Sequence, residues 1–332
     1  MNLVLTTRCA KKCSFCFTDE DGKNVDNEMS MEDVVKVFDN FFSRTMGPPS
    51  VKLLGGEPTQ YSNFEEVLDL SLSDKYNLYP RATVLVSNLL FNKATQEAIT
   101  KHAGDKKLAL LVNGMELDIN NRMGVFGTNL NAIVAGGHYT SLAMTLSDEA
   151  TLEYHQNYIK FLIETNVFSA VNDIRIGLDL NNESIINNKK YGQIIAEYKK
   201  VATQYKLTIS FDCQVPPCVF EDSVIEEFVS SDGSEGLLAG IVKPESINKA
   251  FNCFTTAVDI MPDLSAEFCY QTIGKIPKIP NVLEFKKGKD VKSYYNATYA
   301  NMKDAAPESS VCHDCRYYLK LCNGLCLGCK VK

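Results

Sequence analysis

Short apolar runs alternate with amphipathic stretches over the first two-thirds of the chain. Strands are predicted at Asn2–Thr7 (with Leu3-Val4-Leu5), Val51–Leu54, Ala82–Val86, Leu108–Val112, Ser141–Leu146, Ile174–Leu178 and Leu207–Phe211. Between them lie predicted helices. The first starts behind Ser30 and offers Val34, Val35, Val37, Phe38, Phe41 and Phe42 as a broad apolar face. Others follow at Asn63–Leu72, Asn92–His102, Asn121–Val134, Asp148–Glu164 and Tyr191–Gln204. Strands that are apolar throughout, alternating with helices, imply a parallel sheet joined by right-handed crossovers. Six or seven such units make a partial barrel. Polar residues at the C-terminal ends of its strands then face the active site.

The chain has 332 residues, 45% of them hydrophobic, enough for one large domain and a smaller one. The expected division is a barrel over residues 1–220, a bridging segment over 221–252 and a cysteine-rich domain over 253–332. No apolar run is long enough to cross a bilayer as a helix, and the first strand follows Met1 without room for a signal or transit peptide. A cytoplasmic location without membrane contact is expected. Net charge is −7, from 41 acidic and 34 basic residues, which argues against a nucleic-acid partner.

Twelve cysteines are many for a reducing compartment, and they are clustered rather than dispersed. Cys9, Cys13 and Cys16 sit on one loop directly after the first strand, spaced C-x3-C-x2-C. Three thiolates on a short loop suit three irons of a cubane and leave the fourth iron without a protein ligand, whereas structural zinc takes four ligands. One unit later the second strand ends in Gly55-Gly56-Glu57-Pro58. There two glycines allow close backbone approach to a ligand, and free carbonyls beside Glu57 can accept from an ammonium group. Zinc or disulfide clusters and an ordinary Gly-Pro turn are the plain readings of each motif alone.

Together, the cysteine loop, with Phe15 before its last thiol, and the GGEP turn resemble the signature of radical S-adenosylmethionine (SAM) enzymes. The resemblance implies a partial (β/α)6 TIM barrel. In that family the amino and carboxylate groups of SAM's methionine part chelate the open iron, and electron transfer generates a 5′-deoxyadenosyl radical that abstracts a substrate hydrogen. By position, Phe15, Gly55, Gly56, Glu57, Ser87, Asn88 and Asn113 would stand at the SAM site. Arg175, the polar exception in an apolar strand, suits either the SAM carboxylate or an internal ion pair. Thr145 and Ser147 are secondary candidates on the same shelf.

The late cysteines, Cys253, Cys269, Cys312, Cys315, Cys322, Cys326 and Cys329, resemble the SPASM extension of this family. The spacing departs in detail, and Leu264 stands where the family has a turn glycine. The resemblance gives Cys312, Cys315, Cys322 and Cys329 to one auxiliary [4Fe-4S] cluster and Cys253, Cys269 and Cys326 to another, three clusters in all. Cys213 and Cys218 are left over, and either one completes the second set or its iron stays open. A pair of zinc ribbons is the alternative.

Auxiliary clusters can take the electron left after hydrogen abstraction, so the expected chemistry is net oxidation of a closed-shell substrate. A ribosomally made peptide, cross-linked or dehydrogenated, is the leading expectation. A separate leader-binding protein and a flavodoxin- or ferredoxin-type reductant would be its partners. Tyr270, Glu267 and Asp212 are candidate proton acceptors. A small-molecule dehydrogenase or a sulfatase-type maturase is the second expectation. The third is a non-catalytic iron–sulfur or zinc protein that binds a partner. Tyr270 occupies the place of the sulfatase group's Asp, and no winged-helix leader module precedes the first strand.

Overall fold

Strands and helices alternate through the chain: β1 (Asn2–Val4), α1 (Met31–Phe41), β2 (Val51–Leu54), α2 (Phe64–Leu72), β3 (Thr83–Ser87), α3 (Lys93–Thr100), β4 (Leu108–Asn113), α4 (Met123–Ala135), β5 (Tyr139–Leu146), α5 (Leu152–Glu164), α6 (Val167–Ala170), β6 (Asp173–Leu178), α7 (Lys189–Gln204), β7 (Thr208–Phe211), α8 (Asp222–Ser230), β8 (Asp259–Ile260), β9 (Ala266–Glu267) and α9 (Gly288–Ala305). This computed structural model describes residues 1–13, 16, 27–42, 50–76, 79–80, 82–114, 123–148, 151–179, 183–185, 187–242, 251, 258–269, 277–305, 312 and 315–322. Phe15, Cys253, Tyr270, Cys326 and Cys329, all named from the sequence, lie outside the described residues. Among the described residues no helix is long and apolar enough to cross a membrane.

The chain divides into two units, each assembled from an early and a late segment: Met1–Ser141 with Thr256–Met302, and Leu142–Thr255 with Lys303–Lys332. In the first unit the strand order is β4-β3-β2-β1-β8-β9. All neighbours are parallel except β8 and β9. The register aligns Leu3 with Leu53, Leu53 with Leu85, and Leu85 with Leu110. None of these four leucines is more than 1% exposed. Burying each contributes about 1.5–3 kcal/mol, and a one-residue slip would turn the row to the other face, so the row fixes the pairing. Ser30 caps α1 by accepting the Asp33 N–H at 3.1 Å, and Val34, Val37, Phe38 and Phe41 form its buried face.

The β8–β9 turn holds Leu264 in the left-handed region at φ 64°. It is closed by the Met261 N–H on the Ser265 carbonyl at 2.8 Å. The position that resembles a family turn glycine therefore has a glycine's backbone under a leucine side chain, a conformation that costs roughly 1–2 kcal/mol.

In the second unit β6 pairs in parallel with β7, Arg175 opposite Ser210. Helix α5 begins at Leu152 rather than at Asp148, because Thr151 caps it by accepting the Tyr154 N–H at 3.1 Å. Asp148 instead accepts from the Tyr191 hydroxyl at 2.5 Å and from Ser184. Where the sequence suggests only a bridge, the chain forms α8. Arg316 pairs with its Asp222 (3.2 Å) and Glu226 (2.5 Å), and the Tyr317 hydroxyl donates to Asp222 at 2.7 Å.

Candidate active site

Parallel pairing brings the C-terminal ends of β1, β2, β3 and β4 to one edge of the first unit. Cys9, Gly55–Glu57, Ser87–Asn88 and Asn113 therefore all emerge there. What holds them together was not anticipated. The Gly56 N–H donates to the Thr6 carbonyl at 2.8 Å, and the Glu57 N–H donates to the Arg8 carbonyl at 2.7 Å. A Cβ on Gly55 would come within 2.7 Å of the Thr6 carbonyl oxygen, and one on Gly56 within 2.5 Å of those of Thr7 and Arg8. The two glycines thus admit the root of the cysteine loop, whose carbonyls occupy the space a side chain would fill. Arg8 adds a second tie, donating to Glu28, to the Gln60 carbonyl (2.9 Å) and to Ser62 Oγ (3.0 Å). Its place beside Cys9 was the only hint of that role, since nothing in the sequence pairs it with Glu28.

Glu57 is 1% exposed, and its carboxylate is taken up by the chain itself. Oε1 accepts from Thr59 Oγ1 (2.7 Å), the Thr59 N–H (3.3 Å) and Ser87 Oγ (2.8 Å), while Oε2 accepts the Asn88 N–H at 2.8 Å. Burial pushes its pKa above the ordinary carboxylate value, and the Asn88 N–H, Thr59 and Ser87 pull against that push. Glu57 and Ser87 therefore lock the β2 and β3 ends together. Neither side chain is left pointing at a ligand by default.

Asn88 lies nearest the thiols. Its Nδ2 is 3.8 Å from Cys9 Sγ, its Oδ1 accepts the Leu90 N–H at 2.8 Å, and Leu89 follows with φ 56°. Cys9 Sγ also accepts the Lys11 N–H at 3.3 Å. Burial pushes the Cys9 thiol pKa up, the Lys11 N–H lowers it, and the charges of Glu57 and Cys16 raise it further. The Cys16 N–H closes a turn on the Cys13 carbonyl at 3.0 Å, and all three thiols are half-buried. Soft donors at one strand end, with N–H groups directed at sulfur, fit an iron–sulfur cluster. Among the described residues no three Cys, His, Asp or Glu side chains are grouped as round one metal ion. A cubane spreads its thiolates over the width of the cluster, and Cys9, Cys13 and Cys16 are separated in that way rather than gathered round one ion.

The remaining named residues separate. In the second unit Arg175 forms an ion pair with Asp212 on the neighbouring chain segment, and both are about a quarter exposed. A Cβ on Gly177 would lie 3.7 Å from Thr145 Oγ1 and 3.9 Å from Asp212 Cβ, which puts Thr145, Gly177 and Asp212 on one shelf. Of the two partners that suit Arg175, this structure shows the internal carboxylate, and the same contact engages Asp212, named from sequence as a base. Glu267 stands opposite Asp259, which is in register with Asn2 at the start of β1 and accepts from Asn2 Nδ2 at 2.6 Å. Cys9 follows the other end of that strand, so Glu267 is not part of this edge. Burial raises its pKa to about 7, with Lys278 lowering it and Asp259 and Asp263 raising it.

Residues 3–136 match the family model described as the Radical SAM superfamily. A curated relative, 7,8-dihydro-6-hydroxymethylpterin dimethyltransferase of Methanocaldococcus jannaschii, is 27% identical over 99 residues, 29% of this chain and 20% of that protein. The match thus spans about a fifth of the relative's length. Streptococcus suis SuiB bound to S-adenosylmethionine superposes with a TM-score of 0.61 at 15% identity, covering 98% of this chain and 72% of SuiB. Native anSMEcpe with bound AdoMet gives 0.64 at 13% identity over 99% of this chain and 90% of that one. SuiB bound to its precursor peptide SuiA, and anSMEcpe with AdoMet and the Cp18Cys peptide, give 0.60 and 0.62. The chain therefore carries a Radical SAM superfamily match over residues 3–136 and has the open, parallel α/β fold of these SAM-bound enzymes.

Proposed function

We propose that the protein is a radical SAM enzyme that oxidatively modifies a peptide. The observation that carries this reading is the placement of Cys9, Cys13 and Cys16 on the strand edge that also presents Gly55–Glu57, Ser87–Asn88 and Asn113, with the Asn88 amide directed at Cys9 sulfur. Cys9, Cys13 and Cys16 would hold a [4Fe-4S] cluster whose bound SAM is cleaved reductively. The chain's own part is to hold that loop in register. The Gly56 and Glu57 N–H groups and the Arg8 guanidinium fix its root, and the buried Glu57 carboxylate fixes the β3 end beside it. Asn88 and Asn113 offer amides at the edge for the cofactor's polar groups.

A peptide substrate is supported by the shared fold with SuiB and anSMEcpe, both of which have been captured with peptides. Two auxiliary clusters, one on Cys312, Cys315, Cys322 and Cys329 and one on Cys253, Cys269 and Cys326 with a fourth site for Cys213, Cys218 or substrate, would accept the second electron. Tyr270 remains the proposed proton acceptor, with a flavodoxin- or ferredoxin-type protein as reductant and a separate leader-binding protein as partner. The partial match to a pterin dimethyltransferase favours, as a second reading, a small-molecule substrate for the same radical chemistry.

The test is anaerobic incubation of reconstituted protein with dithionite and SAM, followed by chromatography for 5′-deoxyadenosine. Wild type should form it and Cys13→Ala should not. Equal formation by both, or none by either, refutes the assignment. Adding a candidate precursor peptide and following its mass separates the peptide reading, a loss of about 2 Da per modification, from the small-molecule one, no change.

A further inference from the structure

The segment Gln214–Cys218 lies against the late cysteines of its own unit through several separate contacts. Gln214, 5% exposed, places its Nε2 3.6 Å from Cys322 Sγ. Four residues after Cys218, Asp222 accepts from the Tyr317 hydroxyl at 2.7 Å and pairs with Arg316 at 3.2 Å; Arg316 is the neighbour of Cys315. Both ends of the short Gln214–Asp222 segment are thus fastened to the run that carries Cys315 and Cys322, with Cys218 on the turn Pro217–Val219 between them. The thiols of Cys312 and Cys315 are near enough for their charges to act on Cys218. That run is itself tightly folded: the Cys315 N–H donates to the Cys312 carbonyl at 3.1 Å, the Tyr318 N–H to the Cys315 carbonyl at 3.0 Å, and the Leu319 N–H to the Cys322 carbonyl at 2.8 Å.

Cys218 is also prepared as an acceptor. The Asn187 N–H is aimed at its sulfur at 3.5 Å, from a residue in the left-handed region at φ 58°. Asparagine tolerates that conformation better than other side chains. N–H groups directed at cysteine sulfur are the kind of contact that tunes the potential of a cluster bound to it. A buried small hydrophobe, the other use of cysteine, needs no such donor.

We propose that Cys218 is a ligand of the auxiliary cluster held by Cys312, Cys315 and Cys322. This rests on the iron–sulfur reading above and revises the ligand set that the sequence resemblance implies, in which Cys329 has that place and Cys218 is a candidate for the other cluster.

The test compares electron paramagnetic resonance spectra and iron content of the reconstituted, dithionite-reduced full-length protein in single Cys→Ala variants. Cys218→Ala should alter the same spectral component as Cys312→Ala and leave the component altered by Cys269→Ala intact. Cys329→Ala should leave the component altered by Cys312→Ala intact. Cys218→Ser, which keeps an oxygen donor of similar size, should hold wild-type iron content with a shifted signal and so shows that any loss in Cys218→Ala is not misfolding. The proposal is overturned if Cys218→Ala leaves both auxiliary components unchanged or alters the Cys269 component, or if Cys329→Ala alters the Cys312 component. SAM cleavage persisting in such variants would leave the proposed function standing. Absence of iron and of cleavage from wild type as well would end both.

Discussion

Gly56→Ala tests whether the cysteine loop is held by direct backbone contact. The added methyl would lie 2.5 Å from the carbonyl oxygens of Thr7 and Arg8, where real contacts begin at 3.0–3.4 Å, so about 0.5–0.9 Å of separation is required. The obstacles are backbone atoms, not the ends of flexible side chains. Opening the contact stretches the Gly56–Thr6 and Glu57–Arg8 hydrogen bonds, about 1 kcal/mol each, on top of an overpacking cost of about 1–3 kcal/mol. A loss of about 3–5 kcal/mol is expected. Gly127→Ala is the matched control: nothing lies within 4 Å of its added methyl, and alanine in the interior of α4 should stabilise by about 0.5–1 kcal/mol. Urea unfolding of the anaerobic apoprotein, with midpoints compared at a shared slope, reads both signs. Iron uptake after reconstitution should fall in Gly56→Ala and stay at wild type in Gly127→Ala. Equal midpoints for the two variants would refute the account of this turn.

Glu57→Gln replaces an acceptor oxygen with an NH2 group that must face the Asn88 N–H or the Thr59 and Ser87 donors. A destabilisation of about 1–3 kcal/mol and reduced iron retention are expected by urea unfolding and iron assay, and wild-type behaviour in both would contradict the hydrogen-bond set. His155 is fully buried on α5, its Nδ1 3.0 Å from the Tyr198 hydroxyl, and burial lowers its pKa from 6.5 to about 4. The unfolded chain takes up that proton first, so the contribution is whole above about pH 6.5 and fades as pH falls to about 4. About 3 kcal/mol is lost over that window at about 1.36 kcal/mol per unit. In His155→Phe the slope of stability against pH between 4 and 6.5 should flatten, and an unchanged slope would refute the assignment. For Arg175→Gln and Asp212→Asn, a double-mutant cycle on stability should return a coupling of about 1 kcal/mol. Additive effects would return Arg175 to the role of a cofactor-carboxylate ligand.

The parallel architecture was legible because its signals are local. Apolar strands, the Ser30 cap and the strand-end motifs each announce themselves within a few residues, and parallel pairing then collects the strand ends on one edge whatever the loops do. The partnerships at that edge were not legible. That Glu57 is consumed by Ser87 and Asn88, or that Gly56 faces the Arg8 carbonyl, depends on packing between segments about 30 to 50 residues apart, which no periodicity reports. That Glu267 stands opposite Asp259, in register with Asn2 and away from the Cys9 edge, was likewise set by strand pairing rather than by any local signal. Leu264 shows the reverse case. A leucine stands where the family has a turn glycine, yet the backbone takes the left-handed conformation, because closure of the β8–β9 turn outweighs a local cost of roughly 1–2 kcal/mol. The Gln214–Cys322 and Asn187–Cys218 contacts were beyond sequence reading for the same reason: count and spacing of cysteines do not say which thiols meet.

The central claim is that the Cys9, Cys13 and Cys16 loop presents a cluster with one iron open to SAM. Electron paramagnetic resonance of a variant retaining that loop but carrying Cys269→Ala and Cys312→Ala, reduced with dithionite and recorded with and without SAM, addresses it most directly. The account predicts a fast-relaxing cluster signal whose shape changes when SAM is added and which is absent when Cys13 is also replaced by alanine. A spectrum indifferent to SAM, or one that survives the loss of Cys13, would contradict it.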